Sequence, residues 1–198
     1  MKRISIKISK NKDWYSIEIG KNIISQLSKR IQKHCPKTKN VALIIDKNVP
    51  TKLKRKIFYA VRKYNIMKLE LNPSEKIKSM STVDQIINKL LSKNFNRNDL
   101  IIAIGGGIIG DTTSFVASIY KRGLNFINVP TSLLAQVDSS IGGKTGVNTS
   151  YGKNLIGSFY QPKIFLIDVL FLMSLKKKEL ICGYAEILKH SLIKDKKF

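Results

Sequence analysis

The sequence predicts an α/β fold: a mostly parallel sheet with helices on both faces, followed by the start of a truncated α-helical domain. Three observations lead there. Short continuous apolar runs such as Val41–Ile45 and Leu100–Ile104 read as strands buried on both faces. Amphipathic helical patterns alternate with them, as a parallel sheet requires of its crossovers. From Leu175 onward the pattern is helical only.

Taken in order, Lys2–Ile8 and Trp14–Ile19 alternate polar and apolar residues around Asn11-Lys12-Asp13 and predict a hairpin. Asn22–Ile31 is expected to be helical, with Ile24, Leu27 and Ile31 on one face. The strand Val41–Ile45 ends at Asp46-Lys47-Asn48, the helix Thr51–Tyr64 follows, and Ile66–Leu71 is a strand. Ser81–Lys93 is an amphipathic helix whose stripe is Val83, Ile86, Ile87, Leu90 and Leu91. The strand 100–104 runs into glycines and a helix over Gly107–Tyr120. Asn125–Val129 is a strand stopped by Pro130, Ile164–Val169 is the last strand, and Glu179–Ile193 is one helix. Lys144, Lys153 and Asn154 are assigned to glycine-rich loops. The expected division is an α/β domain over 1–176 and the first helix of an incomplete helical domain over 177–198.

The formal charge of +23 raises the question of a nucleic-acid partner. The excess is nearly all lysine, is spread along the chain, and accompanies abundant isoleucine and asparagine. That trio fits an AT-rich coding bias acting on solvated faces. There is no basic stripe interleaved with aromatics, so no specific nucleic acid is expected. No apolar run reaches a membrane span, and Met1–Ser5 lacks the features of a signal peptide. Cys35 and Cys182 form neither a framework nor a metal pair. A cytoplasmic protein without a membrane partner is expected.

Chemistry concentrates in one block. Gly105-x-Gly107-x-x-Gly110 follows a strand and opens a helix, the context in which backbone amides cradle a pyrophosphate. This makes the fold Rossmann-like. The usual ribose-binding acid is missing from the end of the next strand, Phe126–Pro130. Asp46 is the alternative ribose partner, or else a cap or turn residue. Asp111 is either a first-turn acid complementing the helix dipole or a carboxylate aimed at a cofactor. Arg122-Gly123 closes the helix and reads as a C-terminal cation beside a glycine cap. Lys144, Lys153 and Asn154, with Gly142, Gly143 and Gly152 beside them, suit an anion site. Glu186, Lys189 and His190 share one helical face, as a surface pair or a partial metal site.

Together, Gly105–Asp111, Tyr120–Gly123, Val129–Leu134, Gln136–Thr145, Gly152–Asn154, Phe159–Pro162 and Gly183–Lys189 resemble 3-dehydroquinate synthase. The resemblance covers the N-terminal part of that family; its members carry a further C-terminal helical domain. It implies a carbon–oxygen lyase that cyclises 3-deoxy-D-arabino-heptulosonate 7-phosphate to 3-dehydroquinate with loss of phosphate, in the shikimate route to chorismate and the aromatic amino acids. It implies bound NAD, reduced and reoxidised in each cycle, a divalent metal (zinc or cobalt), and a family that is usually homodimeric.

Carried over residue by residue, the resemblance makes Asp46 and Asn48 adenosine-side contacts and Glu75 and Lys78 an acidic–basic NAD-binding pair. Gly107, Ile108, Ile109, Gly110 and Asp111 would cradle the pyrophosphate and reach the nicotinamide side, with hydroxyls from Thr131 and Ser132. Lys144 and Lys153 would lie where NAD meets substrate. Asp138, Arg122, Asn154 and Lys189 would be substrate-site residues, and Glu186 a metal ligand. Ser74 departs from the family's glycine. The family's two histidine ligands fall beyond residue 198, and His190 is not in their motifs. Impaired activity is therefore expected. The rival readings are a metal-dependent polyol or alcohol dehydrogenase of the same superfamily, which the Asp138–Lys144 block disfavours, and an inactive gene remnant.

Overall fold

The computed structural model describes residues 2–7 and 14–194. Seven strands form one sheet in the order β1 (Lys2–Lys7), β2 (Trp14–Gly20), β9 (Ile164–Asp168), β6 (Asn125–Pro130), β5 (Leu100–Gly105), β3 (Asn40–Asp46), β4 (Asn65–Leu71). Only β1 and β2 pair antiparallel; the other neighbours are parallel. The expected hairpin is thus present, and its turn at Asn11-Lys12-Asp13 lies outside the described residues.

The continuous apolar strands arise because the sheet is covered twice. Val41, Leu43 and Ile45 of β3 and Leu100, Ile102 and Ile104 of β5 point to one face. There they meet Leu27 and Ile31 of α1 (Leu27–His34) and Ile57 and Val61 of α2 (Thr51–Val61). The alternate residues Ala42, Ile44, Ile101 and Ala103 point the other way. They pack on Val83, Ile86 and Leu90 of α3 (Met80–Ser92) and on Ile109 and Val116 of α4 (Gly107–Ile119). With both faces occupied, every position of the period-two strand is apolar. Each such aliphatic side chain contributes about 1.5–3 kcal/mol by leaving water.

The chain builds β3 and β4 outward, then returns to place β5 on the other side of β3 and β6 beyond it. Between β3 and β5 the winding reverses, so the loops leaving their carboxyl ends diverge and open a crevice. Asp46 ends β3 and Gly105 ends β5, with Asp46 touching the glycine. A Cβ built on Gly105 would sit 2.7 Å from the Ile109 side chain and 3.1 Å from Asp46 Cβ. Glycine here lets α4 start directly against the strand end. Gly105→Ala should lower stability by about 1–3 kcal/mol through overpacking. A thermal unfolding midpoint unchanged from wild type would contradict that account.

Two regions differ from expectation. Residues expected as loops form an antiparallel hairpin, β7 (Lys144–Thr149) and β8 (Gly152–Phe159). Neither strand alternates cleanly, and glycines oppose each other at Gly146 and Gly157. Tertiary contacts hold it: Val147 is buried against α4, and Ser158 Oγ donates to Ser118 Oγ of that helix at 2.8 Å. The second is a π-helical turn over Ala135–Ser139. Its buried Gln136 donates through Nε2 to the carbonyls of Pro130 (3.1 Å) and Asp168 (3.4 Å), pinning the turn to the ends of β6 and β9.

The last helix, α5 (Lys177–Lys194), starts two residues before its expected beginning. Ile181, Tyr184, Leu188 and Leu192 lie along it and are exposed. Gly183 is its one buried residue. A Cβ there would come within 2.5 Å of Leu133 and 2.7 Å of the Leu134 nitrogen, so α5 is seated tightly on the segment entering the π-turn. Among the described residues, no helix is long and apolar enough to cross a membrane.

Candidate functional site

A cleft of about 520 Å³ opens over the carboxyl ends of β3, β5 and β6. Asp46, Asn48, Gly107, Ile108, Ile109, Thr131 and Ser132 line it, so seven residues singled out from the sequence share one cavity. Val49, Pro73, Phe171 and Glu179 complete its walls; nothing in their local patterns marks them, because loops far apart in sequence bring them there. No side chain caps the amino end of α4 at Gly106. Its first N–H groups are therefore available to an anion, and the helix dipole favours one.

Asp46 is both a turn residue and a wall of the cleft. Its Oδ1 accepts from the Asn48 N–H at 2.7 Å, a turn interaction, while the residue also lines the cleft. Burial pushes its carboxyl above the ordinary range, partly offset by that N–H and reinforced by the Glu179 charge.

Asp111 lies one turn inside α4, not in the first turn, and its partner is a lysine. The nearly buried Lys78 Nζ sits 2.5 Å from Asp111 Oδ2 and donates to Asn154 Oδ1, also at 2.5 Å. Burial raises the Asp111 carboxyl, and the hydrogen bond and charge of Lys78 pull against it. Glu75, three residues before Lys78, accepts from Asn148 Nδ2 at 2.8 Å and lies 3.6 Å from Lys153 Nζ. The Asn148 hydrogen bond, with the charges of Lys153 and Lys78, holds Glu75 below its usual range despite some burial. Glu75, Lys78, Asp111, Lys153 and Asn154 thus form one connected cluster. Lys144 lies beside it, lining a small depression with Gly110 and Asp111.

The π-turn and α5 meet at a third cluster. Ligand atoms of Asp138, Glu186 and His190 all lie within 4.8 Å of one another, and His190 Nε2 is 3.5 Å from Asp138 Oδ1. Lys189 pairs with Glu186, which raises the lysine's pKa. Two carboxylates and an imidazole are a donor set suited to zinc or cobalt. The resemblance gave Glu186 as a ligand and the i,i+4 spacing gave Glu186 and His190 as a partial site; the fold brings Asp138 beside both.

Arg122 is not brought to these residues. It lies with Arg97, Asn98 and Lys163 in a separate cleft at the amino ends of β5, β6 and β9, the opposite end of the sheet. Left-handed backbone at Lys121 (φ 46°) and Arg122 (φ 63°) turns the chain there between α4 and β6.

This architecture, with a glycine loop opening a helix over the cleft at the winding reversal, defines a Rossmann-like α/β protein. Residues 68–182 match the 3-dehydroquinate synthase N-terminal family. A 3-dehydroquinate synthase of Pelagibacter ubique is 52% identical over 195 residues, which are 98% of this chain and 53% of that protein. One from Alkaliphilus metalliredigens is 43% identical over 198 residues, covering 100% of this chain and 54% of that protein. The chain belongs to the 3-dehydroquinate synthase family, and it spans about half the length of the curated relatives it matches.

Among solved structures, a 2-deoxy-scyllo-inosose synthase complexed with carbaglucose-6-phosphate, NAD+ and Co2+ superposes with a TM-score of 0.88 at 25% identity, over 97% of this chain and 52% of that one. A 2-epi-5-epi-valiolone synthase from Streptomyces hygroscopicus with NAD+ and Zn2+ bound gives 0.81 at 26% identity, over 92% and 51%. A probable glycerol dehydrogenase from Sinorhizobium meliloti, at 17% identity and a TM-score of 0.68 over 87% and 44%, shares the fold.

Proposed function

We propose that this chain supplies the NAD-binding half, and much of the substrate-binding half, of a 3-dehydroquinate synthase. The substrate is 3-deoxy-D-arabino-heptulosonate 7-phosphate, and the products are 3-dehydroquinate and phosphate. The observation that carries this is the convergence of the cleft-lining residues Asp46, Asn48, Gly107, Thr131 and Ser132 with the Lys78–Asp111–Asn154 cluster beside it. In this reading bound NAD would supply the acceptor for a hydride from the carbon bearing a substrate hydroxyl, and the donor for its return, while a divalent metal would polarise the hydroxyl oxygen.

The chain's own residues bind and orient. The free amides opening α4 hold the pyrophosphate, with Thr131 and Ser132 hydroxyls across the cleft. Asp46 and Asn48 meet the adenosine end. Lys144, Lys153 and Lys189 offer positive charge to an anionic substrate, and Asn154 a neutral amide. Asp138, Glu186 and His190 would hold the metal. Arg122 lies at the opposite end of the sheet, apart from this half-site as folded. Residues 1–176 are the NAD-binding domain, and 177–198 begin a helical one. The exposed stripe Ile181, Tyr184, Leu188, Leu192 on α5 supports that division, because an apolar helical face of this kind is normally covered. The free thiols of Cys35 and Cys182 suit a cytoplasmic setting.

Calorimetric titration of the purified 198-residue chain should show weak NAD binding and Co2+ binding that Glu186→Ala abolishes. Phosphate release from the heptulosonate substrate should stay near background, because half of the relatives' length is not in this chain. Absence of NAD binding at millimolar concentration would overturn the cleft assignment. Robust zinc-dependent turnover would overturn the expectation of impaired catalysis.

A further inference from the structure

We infer that Asn148 is a positioning residue for the cofactor–substrate junction, locking the Glu75–Lys78 turn to the β7–β8 hairpin through the two faces of its amide. The inference rests on the function proposed above for the residues it positions. Asn148 falls where the β7–β8 register shifts, between the pairs Val147↔Ile156 and Thr149↔Gly152. Freed from that ladder, its backbone faces the other way: its N–H donates to the Lys78 carbonyl at 2.7 Å, and it forms a parallel bridge with Ser79. A bulge re-aims a side chain, and this one is aimed at two site residues.

Asn148 Nδ2 donates to Glu75 Oε2 at 2.8 Å, while Asn148 Oδ1 accepts from the Asn154 N–H at 3.0 Å. An amide does both from two separate atoms, and the carboxylate on one side and N–H on the other fix which way it points. Asn154 needs such a hold. Its backbone is left-handed (φ 59°), an uncommon state for a residue other than glycine, and its side chain must still meet Lys78. One continuous path results: Glu75, Asn148, Asn154, Lys78, Asp111. It crosses from the short turn before α3 to β7, β8 and α4; the Asn148 amide sets the first three relative to one another, and Lys78 reaches the fourth. Asn148 touches no reacting atom in this account; it places residues that do.

The test uses two variants of the chain, with NAD as the ligand and wild type measured alongside at each pH. Asn148→Ala removes donor and acceptor together. NAD affinity should fall about tenfold at every pH, the worth of roughly one charge-assisted hydrogen bond. Amide exchange should accelerate in residues 74–79 and 150–156 without NAD present. Asn148→Asp keeps the acceptor toward Asn154 but sets a second carboxylate against Glu75. Lys153 and Lys78 lie near that pair, and Asp111 beyond Lys78 adds negative charge. At pH 8 both acids are ionised and repel, and affinity should again be about tenfold below wild type. Near pH 5 one shared proton restores a donor between them, and affinity should return to within about twofold of wild type. A merely structural asparagine would not give recovery in acid confined to the aspartate variant. An Asn148→Asp deficit that persists at pH 5, or unchanged affinity and exchange in both variants, would overturn the inference. Should wild type itself fail to bind NAD, the proposed function falls, and the exchange measurement still decides the role of Asn148.

Discussion

Lys78→Met is expected to weaken NAD binding severely and to lower stability by about 2–4 kcal/mol at neutral pH. The range reflects a salt bridge robbed of one partner, reduced somewhat because the Asp111 side chain keeps a quarter of its exposure. Without the ammonium, Asp111 is a partly buried carboxylate with no cation, and Asn154 loses the donor that holds its side chain. The pH dependence follows from burial, which already pushes the Asp111 carboxyl above its ordinary value. Removing Lys78 removes what pulls it down, so the folded-state value rises further. A carboxyl raised on folding binds its proton more tightly in the native state. Stability is then retained in acid and lost as pH rises from the ordinary carboxylate range through the raised value. The variant should therefore lie closest to wild type near pH 4 and furthest from it at pH 8, by urea denaturation at each pH. Adding Asp111→Asn should recover part of the loss at pH 8. A pH-independent deficit, or no recovery in the double variant, would show that the ion pair does not carry the effect.

Asp99→Ala should cost about 3–4 kcal/mol, because it strands several backbone donors at once. Asp99 is fully buried. Its carboxylate accepts from the N–H groups of Asn96 (2.8 Å), Asn40 (2.9 Å) and Lys39 (3.2 Å), and from Asn40 Nδ2 (2.9 Å). Burial pushes the group up, but the donors together outweigh it and its pKa is lowered. Its contribution is therefore present above the ordinary carboxylate range and lost as pH falls through the lowered folded value. Asp99→Ala should lose that acid-side slope as well as the stability; a denaturation curve keeping the wild-type slope would contradict this assignment.

The consequence reaches the other end of the sheet. Asp99 ties the start of β3 to the start of β5, in the register Val41↔Leu100 through Ile45↔Ile104. That register brings Asp46 and Gly105 level at the carboxyl ends. A one-residue slip would turn every β3 side chain to the wrong face and separate the two.

The fold was largely legible because its strands are buried on both sides. Leu100–Ile104 carries no polar residue, so the periodicity left a parallel sheet as the consistent reading. The cleft was legible for a related reason. Gly105–Gly110 sits between that strand and a helix start, and the backbone of such a loop does the binding. The Lys144–Phe159 hairpin was not legible. Its strands have no alternating face of their own, and they form because Val147 and Ser158 find partners on α4. Asn148 stayed hidden with it, since a bulge residue has no signature in one strand read alone. Asp111 was open between a helix dipole and a cofactor, and its position one turn in and its burial make Lys78 its partner in the fold.

By itself, then, the sequence determined the α/β class and the glycine loop, because those follow from local periodicity and from backbone freedom at glycine. Only the tertiary structure decided which site residues meet. It joined Lys78 to Asp111 and Asn154, drew Asp138 to Glu186 and His190 by seating Gly183 against Leu133, and carried Arg122 to the far end of the sheet. Contacts between residues tens of positions apart depend on packing between elements, and no local pattern encodes that distance.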